Sequence, residues 1–184
     1  MRTAPVALVY LADGAEDVLT EAATQVSALT HYDPEAGEAC VLWCHLIRHA
    51  VRTGRLDPAE GLRHLPDSSA SVWAERLVGA ERARPRDFTA NGWVVEALQA
   101  AWCAITATPV PASNPASHLK LALEAAVRGG RDADTVAAIA GGLLGAIHGA
   151  AAVPGQWHRL LHGWPGLTGE DLVKLATGIA SAAG

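Results

Sequence analysis

The sequence predicts an all-α fold, a globular multi-helix bundle, on three observations. Apolar residues recur at helical spacing along most of the chain, alanine dominates where strands would need β-branched and aromatic alternation, and Gly or Pro punctuates the periodic stretches. A length of 184 residues with 50% hydrophobic residues supports one domain with a real core, taken as 1–184.

The first helix is expected over about Pro5 to Leu11, with proline tolerated in the first turn. Asp13-Gly14 separates it from a second, about Glu16 to Leu29. Thr30 to Asp33 is a break. Pro34 then opens a helix to about Thr53 that Gly54 closes. Its run Ala39 to Cys44 is apolar on every face, which marks a central, buried helix. Asp57-Pro58-Ala59-Glu60 reads as the cap and first turn of a short helix, and another spans about Ser69 to Arg84. Arg82 to Asp87 is an exposed loop. After Asn91, the residues Trp93, Val94, Ala97, Leu98, Ala101, Trp102 and Ile105 make one apolar stripe. Proline-rich Thr108 to Pro115 leads into a helix ending near Arg128. Thr135 to about Ala150 follows as a helix in which Gly141, Gly145 and Gly149 recur every fourth position, as if a neighbour approached closely. A Gly-Trp-Pro-Gly turn, Gly163 to Gly166, precedes a last helix from about Thr168.

The formal charge of -5 argues against a nucleic-acid partner, which would need clustered Lys and Arg. No signal peptide is legible at the N-terminus, and the longest apolar stretch, Val136 to Val153, is broken by His148 and by glycines. The expectation is a cytoplasmic protein with no membrane segment. Three cysteines, Cys40, Cys44 and Cys103, fit a reducing compartment. Cys40 and Cys44, like His45 and His49, are spaced i, i+4, so zinc can be imagined; the two pairs lie about 100° apart on one helix, which opposes convergence on one ion.

Asp132-Ala133-Asp134-Thr135 is the candidate functional segment. Two carboxylates at i, i+2 and an adjoining hydroxyl, all oxygen donors at the mouth of a helix, suit Mg²⁺, Mn²⁺ or Ca²⁺. The same residues also read as a helix cap, since acids are favoured at helix N-termini.

The surrounding text weighs between these. Gly129 to Ala146, with Gly-Gly-Arg-Asp-Ala-Asp-Thr ahead of an alanine-rich helix, then Ala152-Val153-Pro154 and Trp157, resembles the C-terminal signature of the ADP-ribosylglycohydrolase family. Met1-Arg2-Thr3-Ala4-Pro5 resembles the end of that family's G-N-G-x-x-M-R segment. Ser27-Ala28-Leu29-Thr30-His31 resembles its S-x-x-T-H element, and Asn91-Gly92-Trp93-Val94-Val95 its N-G-x-V-V helix start. The elements occur in the family's order over nearly the whole chain.

The resemblance implies an orthogonal multi-helix bundle that hydrolyses the glycosidic bond between ADP-ribose and a protein side chain, using two Mg²⁺ or Mn²⁺ ions. It implies Asp132, Asp134 and Thr135 as metal ligands, and Thr30, His31, Asn91 and Gly92 as residues lining the nucleotide pocket. Each has a plainer reading: Thr30 and His31 also end a helix, and Asn91 also caps one. The family's upstream G-D-x-x-G and D-D-T segments, with the remaining ligands and the catalytic acid, have no counterpart in this sequence, and Asp13 to Asp17 matches neither. The expectation is therefore an N-terminally truncated member whose catalytic residue lies outside this chain. Alone it is expected to be inactive or weakly active, or to be a remnant that binds ADP-ribose or acts as a helical interaction protein. Self-association through exposed apolar surface, or association with a missing N-terminal segment, is expected to accompany the loss.

Overall fold

The third helix organises the molecule, and its ends follow from three residues. In the computed structural model, which describes residues 1–182, Asp33 accepts a hydrogen bond from the Ala36 amide at 3.1 Å, Pro34 occupies the first turn, and Gly54 closes the helix at φ 67°. Between those caps runs α3, Pro34–Thr53, with Val41 to Arg48 continuously buried.

Around it lie α1 (Val6–Val9), α2 (Glu16–Ala28), α4 (Ala59–Leu62), α6 (Val94–Thr106) and α8 (Ala133–His148), all in contact with α3. α5 (Asp67–Glu81) packs on α6, and α7 (Ser117–Arg128) lies against α6 and α8. Three indoles from different elements lie in this core, and each finds an acceptor, as buried Trp N–H groups require. Trp43 donates to the Ile139 carbonyl at 3.0 Å, Trp73 to Glu38 at 2.9 Å and Trp102 to Glu81 at 3.0 Å. Beyond α8 come α9 (Gly155–Leu160), a hairpin of β1 (His162–Gly163) and β2 (Leu167–Thr168), and α10 (Gly169–Ala182), which docks on α1.

The all-α expectation holds: the regular elements among the described residues are ten α-helices, two 3₁₀ turns and one hairpin of two-residue strands. Four details differ. Trp93 leaves the apolar stripe and is 48% exposed, because α6 starts only at Val94 and the extended backbone at Trp93 breaks the helical phase. The helix expected from Ser69 starts at Asp67, directly after Pro66, and ends at Glu81. The loop expected at Arg82 to Asp87 contains a 3₁₀ turn, Pro85–Asp87, clasped by an Arg84–Asp87 ion pair at 3.0 Å. The helix expected from Thr135 begins at Ala133, which puts Asp134 and Thr135 inside its first turn.

The glycine spacing also resolves differently. Gly145 has open space where a side chain would sit, and Gly149 is the φ 76° residue that ends α8. The close approach falls at Gly142, where a Cβ would stand 3.1 Å from Ala4 and 3.6 Å from Ile47. Among the described residues no helix is long and apolar enough to cross a membrane.

Candidate active-site corner at the start of α8

Gly130 and Arg131 both take left-handed backbone, at φ 78° and 59°, and this double turn reverses the chain from α7 into α8. Such a turn needs outside support, since the left-handed region is costly for a non-glycine residue. Asn91 supplies it. Only 2% exposed, its side chain donates to the Gly130 carbonyl at 3.1 Å and accepts from the Asp132 amide at 3.1 Å. Gly92, next in the chain, sits so close that a Cβ there would stand 3.7 Å from an Asp132 carboxylate oxygen.

Asp132 occupies the N-cap position of α8, yet its side chain makes no capping hydrogen bond. Its carboxylate is left facing Gly92, with Asp134 exposed and Thr135 half-buried one turn into the helix. Asp132 and Thr135 stand three apart and share a face, whereas Asp134 is rotated away from both. All three donors are hard oxygens, which fits Mg²⁺ or Mn²⁺, but three fall short of an octahedral shell. Among the described residues no three His, Cys, Asp or Glu side chains gather as a metal site.

Met1, Thr3, Cys40, Trp43, Val94 and Ile139 line a crevice of about 40 Å³ between the N-terminal segment, α3, the start of α6 and the middle of α8, and its walls include none of Asn91, Gly92, Asp132, Asp134 or Thr135. Thr30 and His31 are not among the residues lining this crevice. Both are exposed after the end of α2, hydrogen-bonded to each other through Thr30 Oγ1 and His31 Nδ1 at 2.7 Å. His31 lines a separate groove of about 400 Å³ with Thr20, Thr24, Ser27, Glu38 and His64, whose walls include none of Asn91, Gly92, Asp132, Asp134 or Thr135.

The remaining chemistry-bearing groups are otherwise engaged. Asp13 pairs with Arg52, and Glu16 with Arg48 at 2.9 Å, so these acids tie the α1–α2 connection to α3. Cys44 is buried against the Thr3 carbonyl at 3.4 Å, and burial pushes its thiol up to about 12, which leaves it protonated and a poor zinc ligand. Sequence reasoning did not find the pairing of His45 with His64, whose rings stack with centroids 3.6 Å apart and lie 12° from parallel. Nor did it find His118 beside His148. In both cases the partners are too far apart in sequence for spacing to reveal them.

None of the curated proteins matches this chain. The family model for ADP-ribosylglycohydrolase matches residues 1–183. With a helical architecture and a match over essentially its whole length, the chain belongs to the ADP-ribosylglycohydrolase family.

Proposed function

We propose that this chain forms one wall of a site that hydrolyses the glycosidic bond between ADP-ribose and a protein side chain, and that Asp132, Asp134 and Thr135 are its share of the ligands for two Mg²⁺ or Mn²⁺ ions. The observation that carries the reading is the Asn91 clamp. It pins the loop into α8 while leaving the Asp132 carboxylate unclaimed by the helix it precedes. A pure capping role would place that carboxylate on the amides of the first turn.

Bound cations of this kind would polarise the bond at the anomeric carbon and help to activate water. The chain's own residues supply the rest. Asn91 commits both amide atoms to backbone, so it positions Asp132 rather than touching ligand. His31, whose Nδ1 is hydrogen-bonded to Thr30, lines a separate groove that includes none of these residues and takes no part in holding the cations. Gly92 packs beside the Asp132 carboxylate, where a Cβ would stand at an ordinary contact distance of 3.7 Å. Because three oxygen donors do not complete an octahedral shell, the chain by itself holds such a cation weakly and turns over little.

Calorimetric titration with Mn²⁺, with and without ADP-ribose, tests this. Weak Mn²⁺ binding that ADP-ribose strengthens and that an Asp132→Asn, Asp134→Asn double variant abolishes is the expected result; full affinity in the double variant overturns it. The lack of any three-ligand His, Cys, Asp or Glu cluster among the described residues favours a second reading, a chain that binds ADP-ribose without cleaving it. Binding heat without release of ADP-ribose from a modified protein selects that reading.

A further inference from the structure

We propose that His118 and His148 form a second metal site, selective for an imidazole-seeking divalent ion such as Zn²⁺, Cu²⁺ or Ni²⁺, which ties the start of α7 to the end of α8. His118, only 5% exposed, has Nε2 at 3.0 Å from the Ile105 carbonyl. A carbonyl only accepts, so the proton is on His118 Nε2 and its Nδ1 carries a lone pair. That lone pair faces His148 Nε2 at 3.3 Å, across rings 80° apart.

Two features of this pair are those of a ligand pair. Nitrogens bound tetrahedrally at about 2.0–2.1 Å from one zinc ion stand roughly 3.3–3.4 Å apart, the separation already present. Metal-binding histidines also characteristically donate their second ring N–H to a backbone carbonyl or carboxylate, which holds the ring and fixes the tautomer, as Ile105 does for His118. The stacked pair His45 and His64 differs on this point, because nearly parallel rings cannot aim two nitrogens at one ion.

Entry of the ion breaks the present hydrogen bond between the rings and asks for a turn of roughly 35° at each of the two nitrogens, from hydrogen-bond to tetrahedral alignment. In that turn the His148 proton passes through solvent from Nε2 to Nδ1, so both ligands bind as neutral imidazole and no net proton is released. Water completes the shell on the solvent side. The site lies at the far end of α8 from Asp132, about 24 Å along the helix, and the preference of imidazole for such ions separates it from the oxygen-rich corner.

The experiment titrates Zn²⁺ into the full chain and into His148→Gln, which can still donate a hydrogen bond to His118 but ligates poorly. The expected result is one site whose affinity falls by at least about tenfold in the variant, with unchanged circular dichroism, no displacement by excess Mg²⁺, and full retention in the Asp132→Asn, Asp134→Asn double variant. Cu²⁺ bound to the wild type should show coupling to two imidazole nitrogens by electron paramagnetic resonance. Equal Zn²⁺ affinity and stoichiometry in wild type and His148→Gln, or a Cu²⁺ spectrum that His148→Gln leaves unchanged, overturns the proposal. Its failure leaves the Asp132 reading untouched, because that reading is tested with Mn²⁺ and different variants.

Discussion

Asn91→Ala is the perturbation on which the most structure depends. The side chain is 2% exposed and makes two hydrogen bonds, both to backbone of the turn that carries Asp132. Each is worth about 0.5–1.5 kcal/mol net, and truncation also strands the Gly130 carbonyl and the Asp132 amide behind a small cavity. Because both loop residues are half-buried, water restores part of the loss, and the expected cost is about 2–3 kcal/mol. For a protein of 184 residues that corresponds to a fall in melting temperature of about 4–12 °C. Denaturant unfolding monitored by tryptophan fluorescence measures it, and amide exchange at Asp132 should accelerate along with the loss. Asn91→Asp should be worse than alanine: it keeps the acceptor for Asp132 but sets a carboxylate oxygen against the Gly130 carbonyl. A loss below about 0.5 kcal/mol for Asn91→Ala, the range of inconsequential surface changes, would refute the claim that this residue holds the turn.

Gly61→Ala should destabilise by up to about 3 kcal/mol, since its Cβ would meet the Leu42 carbonyl oxygen, a backbone atom, at 2.6 Å. Gly145→Ala should do the reverse, gaining about 0.5–1 kcal/mol, because the space is open and the residue is inside α8; thermal melts of the pair settle both signs. Stability should also fall as the solution is acidified below the ordinary histidine range. His45 is 3% exposed, and burial, chiefly, with repulsion from His64 and Arg48, drives its folded value down to about 3. The unfolded chain thus takes up a proton near pH 6.5 that the folded chain refuses until about pH 3. Stability is full above the first value and declines toward the second by at most about 1.4 kcal/mol per pH unit from this group. His45→Gln, which can still bond to Thr20, should flatten that slope in urea titrations between pH 7 and 4.5; an unchanged slope would assign the acid sensitivity to other groups.

Much of the helical layout is legible in the residues because it rests on local rules. Asp33, Pro34 and Gly54 bound α3 through interactions that reach no further than a turn of helix, and the apolar run between them needs burial wherever it lands. The boundaries that went astray did so where local signals compete. Trp93 looks like core by its spacing from Ala97 and Ala101, but the helix does not reach back to it. Asp132, Asp134 and Thr135 read equally as cap and as ligands, and spacing could not choose between them.

What the sequence by itself determined is the all-α class, the central buried helix and the order of the motifs that mark the family, because helical periodicity and short motifs are properties of neighbours along the chain. Only the tertiary structure decided that Asn91 holds the turn before α8, that Asp132 is left uncapped, that Thr30 and His31 stand by a different groove, and that His118 meets His148. The Asn91 clamp, the groove beside His31 and the histidine pair depend on residues 30 or more positions apart being carried together by packed helices, and no local pattern encodes which side chain will face which across such a gap.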